Sequence, residues 1–176
     1  QHCSPTLAGI KTGNMFSCTF ADSIEMKNCV RCWNRIFVKK GLRMLPLRFQ
    51  KNRALLYIYR PSKLSSDLQH DAAYRILKEC GYETDRPERC ISELIRRLRE
   101  KEKFPHEIGL FLGYPPEDVQ GFIENKAADY KCVGCWKVYG DAKAAQKLFA
   151  QYKKCTDIYC TLFSEGKSIE WLTVAV

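Results

Sequence analysis

The stretch Leu42-Arg43-Met44-Leu45-Pro46-Leu47-Arg48-Phe49-Gln50-Lys51-Asn52-Arg53-Ala54-Leu55-Leu56-Tyr57-Ile58-Tyr59-Arg60 decides the fold class. Two runs rich in leucine and aromatic residues flank the polar tetrapeptide Gln50-Lys51-Asn52-Arg53, the arrangement of a β-hairpin. Pro46 has no N–H to give to a ladder, so the first strand is expected at a sheet edge. Just upstream the period changes to that of a helix. Asp22 and Glu25 are spaced as a capping pair, Met26, Val30, Trp33 and Phe37 form an apolar stripe, and Gly41 stops the helix after Lys40.

Downstream of the hairpin the pattern is mostly helical. Residues 65–80 read as one helix ended by Gly81, with Leu68, Ala72, Ile76 and Leu77 inward. A second begins at Asp85 and Pro87, with Ile91, Leu94, Ile95 and Leu98 inward and charges outside as far as Lys103. Pro105 and the Pro115-Pro116 pair each suit a first helical turn, and Gly113 suits a stop between them. Two short helices, 106–112 and 116–124, are therefore expected around a tight Gly113-Tyr114 turn. Residues 132–139 read as a strand, Gly140-Asp141 as the cap of a long helix to about Phe163, and Ser168 as the cap of a last short one. At the other end, Ser4 reads as a helix cap with Pro5 in the first position, and Gly9 and Gly13 keep that helix short. With no internal repeat, low-complexity segment or linker, the expectation is a single α+β domain over residues 1–176. Its small antiparallel sheet has about three strands, from the hairpin at 42–60 and the strand at 132–139, covered by several helices.

A chain of 176 residues that is 45% hydrophobic and 28% charged can bury a core, which excludes a disordered tail or a disulfide-stapled miniprotein. No apolar run approaches the length of a membrane span, and no signal peptide is visible. Ten cysteines are many. In a long, lysine-rich, helical chain they point to a reducing cytoplasmic setting, with most thiols acting as small buried apolar groups. The net charge of +9 is localised: residues 1–60 hold eleven basic residues and two acids, and residues 61–176 hold eighteen of each sign.

Three segments carry a family resemblance. They are His2-Cys3-Ser4-Pro5-Thr6-Leu7-Ala8-Gly9-Ile10-Lys11, then Phe104-Pro105-His106-Glu107-Ile108-Gly109-Leu110-Phe111-Leu112-Gly113-Tyr114-Pro115-Pro116-Glu117-Asp118-Val119, and Trp136-Lys137-Val138-Tyr139-Gly140-Asp141. In this order they resemble a bacterial family of clostridia and related anaerobes designated domain of unknown function 3793. The resemblance spans nearly the whole chain. It implies a cytoplasmic protein of an anaerobe and brings no activity, cofactor or catalytic residue with it. Cys135 departs from the pattern, which has an aromatic residue there.

The candidate chemistry gathers at the expected helix starts. Cys3 precedes a helix N-terminus, where amide N–H groups and the helix dipole favour a thiolate. Ser4, Thr6 and Lys11 are anion donors beside it, with Lys11 as the clamp. His106 follows Pro105 and is the candidate base, with Glu107 beside it; Tyr114 and Lys137 complete a ligand-binding cleft of the 3–11 and 104–116 segments. No second histidine follows at zinc-protease spacing. The pairs Cys29/Cys32 and Cys132/Cys135 have the CxxC form of zinc or dithiol sites, although the first pair lies within a helix and 99 residues separate the two pairs. Lys27, Arg31, Arg35 and Lys39 recur every four residues in one row, and Arg43, Arg48 and Arg53, with Arg60, extend the positive charge onto the hairpin.

These features leave three functions open. The first is binding of an anionic small molecule, or a thiol-dependent enzyme with Cys3 as nucleophile. The second is an accessory protein that docks an acidic, flavodoxin-like partner through its basic first third, with nucleic acid as a less favoured polyanion. The third is a metal- or haem-handling protein that uses the cysteines and His2 or His106. No cofactor is specified by any motif.

Overall fold

The computed structural model describes residues 1–100 and 104–175. The hairpin forms as its sequence requires: β2 (Arg43–Gln50) and β3 (Arg53–Tyr59) run antiparallel with Gln50 opposite Arg53. Lys51 takes a left-handed φ of 53° to close the tight turn. β2 is an edge strand, and its register shifts between Pro46 and Arg48, so Leu47 is an extra residue beside the proline that cannot donate to the ladder.

The third strand is not the expected one. β1 (Gly13–Thr19) pairs antiparallel with β3, giving the order β1-β3-β2. Cys132–Val133 (β4) and Lys137–Val138 (β5) instead pair only with each other, as a separate two-stranded ribbon. β1 lacks a run of β-branched residues and follows a glycine-punctuated helix, so its local signal is weak; pairing with β3 specifies it. The fold class is α+β with a small antiparallel sheet, as the sequence indicates.

The chain divides into two units, Gln1–Lys63 with Lys154–Val176, and Leu64–Lys153. In the first unit α2 (Ser23–Phe37) packs on β2, and Asp22 caps it by accepting from the N–H groups of Ile24 and Glu25. Its stripe is the expected one: Val30 and Phe37 are buried with Met44, Ala54, Leu56 and Ile58, and Met26 and Trp33 pack against them. A short 3-10 turn continues it to Lys40, and Gly41 ends it at φ 72°. α1 (Ser4–Leu7) is a single turn with Cys3, not Ser4, at its cap position. The Ser4 hydroxyl donates to the Gln1 carbonyl at 2.7 Å and is spent there.

Arg60 organises this unit. Its side chain is fully buried, and the guanidinium donates to four main-chain carbonyls: Thr6 at 2.8 Å, Leu7 at 2.7 Å, Val174 at 2.8 Å and Lys40 at 3.3 Å. The Thr6 and Leu7 carbonyls end α1, and each also accepts one main-chain N–H, from Gly9 and from Val174. One side chain at the end of β3 thus fastens α1, the 3-10 turn and the C-terminal residues. Lys40 adds bonds to the carbonyls of Glu170 and Thr173. Arg60 is therefore no part of a surface basic patch, contrary to the sequence expectation.

The second unit is mostly helical. The helix expected over 65–80 is two helices, α3 (Pro61–Gln69), whose first three residues belong to the first unit, and α4 (Asp71–Glu79), because His70 is extended (φ −62°, ψ 130°) and starts a new turn. The break shifts the buried face, so Ala73, not Ala72, joins Ile76 and Leu77 inside. α5 (Pro87–Glu100) follows with Ile91, Leu94 and Leu98 buried; its expected continuation to Lys103 falls on residues outside the described ones. α6 (Ile108–Phe111) and α7 (Pro116–Glu124) are the two short helices around Gly113, which has φ 73°. α8 (Ala142–Ser164), with residues in both units, is capped by Asp141, and α9 (Ile169–Leu172), in the first unit, by Ser168. Among the described residues, which include all ten cysteines, no disulfide forms. No described helix is long and apolar enough to cross a membrane.

Replacing Arg60 by methionine removes the side-chain donor of four carbonyls, of which those of Thr6 and Leu7 keep a main-chain donor, from Gly9 and Val174. The expected loss of stability is about 1–3 kcal/mol, the range for hydrogen bonds to a charged group. Urea unfolding measures it as a lowered midpoint at constant slope. Arg60→Lys recovers only part, because one ammonium cannot reach the same four acceptors. An unchanged midpoint in Arg60→Met contradicts the assignment.

Candidate functional site

Each unit holds a cavity of ligand size. In the first, a cavity of about 590 Å3 is bounded by the sheet (Phe16, Met44, Ile58), α2 (Trp33, Phe37), the start of the chain (Cys3, Ser4, Leu7), the end of α8 (Tyr159, Cys160, Phe163) and α9 (Ile169, Leu172). Trp33 and Phe37 stack with ring centroids 5.5 Å apart, making one flat wall. Gln1 and Ser164 complete the lining, so no side chain on it carries a charge. Volume and lining are those of a site for a small apolar molecule.

Cys3 lies on this cavity, but its environment opposes the thiolate expected from a helix start. Burial pushes its thiol above the usual cysteine range, outweighing the hydrogen bond from Asn14 and the charge of Lys11. A one-turn helix offers little dipole to reverse that. Of the expected anion donors, Ser4 lines the cavity with its hydroxyl already bonded to Gln1. Thr6 is fully buried, does not line the cavity, and its hydroxyl finds no partner among the described residues. Lys11 is buried and donates to the Asn14 side chain, away from the lining. An anion clamp at Lys11 is thus not what the structure presents.

The second unit's cavity, about 400 Å3, is bounded by residues before and within α6 and α7 on one side and the β4–β5 ribbon on the other. His106, Tyr114 and Lys137, three of the expected site residues, lie on it together. His106 meets Phe122 edge-on at 5.1 Å, and Tyr114 stacks on Trp136 at 4.6 Å. Burial pushes the Tyr114 phenol up to about 12, so it stays protonated. The Lys137 ammonium donates to the Ala127 carbonyl at 2.7 Å and stands 4.6 Å from the Tyr130 ring centroid. Cys3 and His106 line different cavities, one in each unit.

Glu107 faces elsewhere. It is buried, accepts from the Tyr82 hydroxyl at 3.0 Å and from Arg97 at 3.1 Å, and does not line the cavity. Arg97 in turn lies 4.2 Å from the Tyr82 ring centroid and bonds Glu93 at 2.6 Å. Hydrogen bonds from Arg96 and Arg97 hold the Glu93 carboxyl down at about 2. This is a polar brace between α5 and the residues before α6, and it accounts for a carboxylate that the sequence places beside a candidate base.

Asp118 sets the floor of the second cavity. Its buried carboxylate accepts from Trp136 Nε1 at 2.6 Å and from the amides of Tyr139 and Gly140, each at 2.7 Å. Gly134 lets the ribbon approach α8: a Cβ there would stand 2.2 Å from Phe149, whose ring is edge-on to Trp136 at 4.6 Å. Asp118 and its three partners are the elements that sequence reasoning missed. The signal was an acid in the first turn of a short helix, which reads equally well as a dipole partner.

On the surface, Lys27, Arg31, Arg35 and Lys39 are exposed along α2 and its extension, with Arg43 and Arg53 also exposed and Arg48 half-buried. Cys29 and Cys32 are exposed on α2, Cys135 is exposed and Cys132 half-buried, so each CxxC pair lies in its own unit. Among the described residues no group of three or more His, Cys, Asp or Glu is placed to hold a metal. The four-cysteine metal site thus finds no geometric support.

Residues 1–173 match the family described as Protein of unknown function (DUF3793), and the chain belongs to that family. This is the family that the three sequence segments indicate. No curated protein and no solved structure is found to match the chain.

Asp118→Ala leaves Trp136 Nε1 and two amides without their acceptor. A destabilisation of about 2–4 kcal/mol is expected, with a loss of near-ultraviolet dichroism from Trp136. Asp118→Asn, which keeps one acceptor oxygen, falls between. A variant with wild-type stability and spectrum contradicts the role given to Asp118.

Proposed function

We propose that this member of the DUF3793 family is a small-molecule-binding protein whose first unit takes an uncharged, largely apolar ligand. The observation that supports the reading is the 590 Å3 cavity lined mainly by aromatic and aliphatic side chains, with no charged side chain among them. Burying an apolar ligand there gains about 25 cal/mol per Å2 removed from water, and the stacked Trp33–Phe37 wall favours a flat one. Cys3 and Cys160 serve as soft, polarisable contacts. A protonated, partly buried Cys3 is a poor nucleophile, so binding is favoured over thiol catalysis. The ligand class therefore moves from the anion expected at Cys3–Lys11 to a neutral molecule.

A second reading rests on a separate observation. The exposed row Lys27/Arg31/Arg35/Lys39 lies in a stretch, residues 26–66, without one acid. A solvated helix face ordinarily mixes signs, so this face fits an acidic protein surface by charge complementarity.

The cavity is tested with N-phenyl-1-naphthylamine, a neutral apolar fluorophore. Saturable 1:1 binding is expected, with quenching of Trp33 and slower alkylation of Cys3 in the complex. Cys160→Trp, which puts an indole into the cavity, is expected to weaken binding at least tenfold. No saturable binding, or binding indifferent to Cys160→Trp, overturns the reading. For the basic row, retention on immobilised polyglutamate is expected to fall steeply with salt and to be lost in Arg31→Glu with Arg35→Glu. Equal retention of that variant removes the second reading.

A further inference from the structure

The tip of the β2–β3 hairpin also forms a cleft, and we infer that it is a binding site for a small molecule carrying a diphosphate group. Three observations converge. The first is register. Arg53 stands opposite Gln50, and Leu55 stands opposite both Arg48 and Ser17, so these side chains share one face of the sheet. Ala54 and Leu56 point the other way, into the core beside α2. Leu55 is thus the floor of a cleft of about 390 Å3, with β1 and β2 at its sides and the Lys51-Asn52 turn at its end.

The second is charge. Arg48, Lys51 and Arg53 line the cleft, and no acidic side chain among the described residues does. Arg48 and Arg53 are diagonal neighbours across the strand pair, positions about 7–8 Å apart and within reach of long side chains. Like charges at this spacing repel, and an anion between them relieves the repulsion. Lys51 and Arg53 are exposed and take part in none of the ion pairs among the described residues.

The third is the donor set. A guanidinium offers a planar fork that matches two oxygens of a phosphate, and two forks a diagonal step apart match two linked phosphoryl groups. The Ser17 hydroxyl and the Gln50 and Asn52 amides add neutral donors around the same cleft. No aromatic ring among the described residues lines it, so a nucleic-acid base has no platform to stack on. The cleft shares no residue with the apolar cavity or with the α2 row.

The test is calorimetric titration of the whole chain with pyrophosphate and, separately, with citrate, a carboxylate of similar charge, at about 0.15 M salt. Pyrophosphate is expected to bind 1:1 and at least tenfold more tightly than citrate. Lys51→Asn with Arg53→Gln, in which asparagine suits the left-handed turn position, is expected to weaken pyrophosphate at least tenfold. Circular dichroism verifies that this variant is folded. Arg53→Lys alone is expected to weaken binding less than Arg53→Gln alone, because an ammonium keeps the charge and loses the fork. Arg31→Glu with Arg35→Glu, on the α2 row, is expected to leave pyrophosphate binding unchanged. No saturable binding, equal affinity for the two anions, a folded Lys51→Asn with Arg53→Gln variant that binds as wild type does, or loss of binding in the α2-row variant would overturn the inference.

Discussion

A guanidinium with no exposed surface is the constraint around which the first unit is built. Arg60 stays charged, because arginine does not lose its proton in proteins, so its burial is tolerable only if its donors are met. They are met by carbonyls from three distant parts of the chain, Thr6 and Leu7, Lys40, and Val174. The geometry of those acceptors fixes α1 and the C-terminal residues after α9 against the end of β3. These are the pieces that carry Cys3, Leu7 and Leu172 to the rim of the apolar cavity. The cavity is therefore a by-product of how one buried cation is satisfied. The helices that close it are short, four residues each, and could not hold their places by their own propensity.

The second unit reaches a comparable end with a carboxylate. Asp118 gathers an indole N–H and two amides, and so fixes the β4–β5 ribbon, only two residues per strand, beside α7. A ribbon this short is not stable alone. With Trp136 held by Asp118, stacked on Tyr114 and met edge-on by Phe149, the ribbon becomes the wall of a cavity that carries Lys137. In each unit, a buried charge satisfied by main-chain or indole groups shapes a cavity wall built from aromatic rings.

What the sequence made legible was local. The hairpin, the edge placement of Pro46, the α2 stripe and the caps at Asp22, Asp141 and Ser168 all follow from chemistry within a few residues. What it hid was non-local. β1 has little strand character of its own and exists because β3 offers it a partner. The break at His70 follows no proline or glycine. The candidate site was legible in its members and not in its grouping: His106, Tyr114 and Lys137 share a cavity, whereas Cys3 lies on another. Arg60 and Lys11 counted toward the positive charge of the first third, yet both are buried. Charge arithmetic cannot distinguish a solvated cation from one that holds carbonyls; the exposed α2 row, with Arg43 and Arg53, keeps the meaning that the composition gave it.

The central claim is that the first unit encloses an uncharged, apolar pocket that takes a neutral ligand. A crystal of the protein soaked with 2-bromonaphthalene tests it most directly, because bromine reports its position by anomalous scattering. A single anomalous peak within the cavity, flanked by Trp33, Phe163 and Ile169, is the result predicted. Bromine found only at other surfaces, with the cavity closed by its own side chains, would contradict the account.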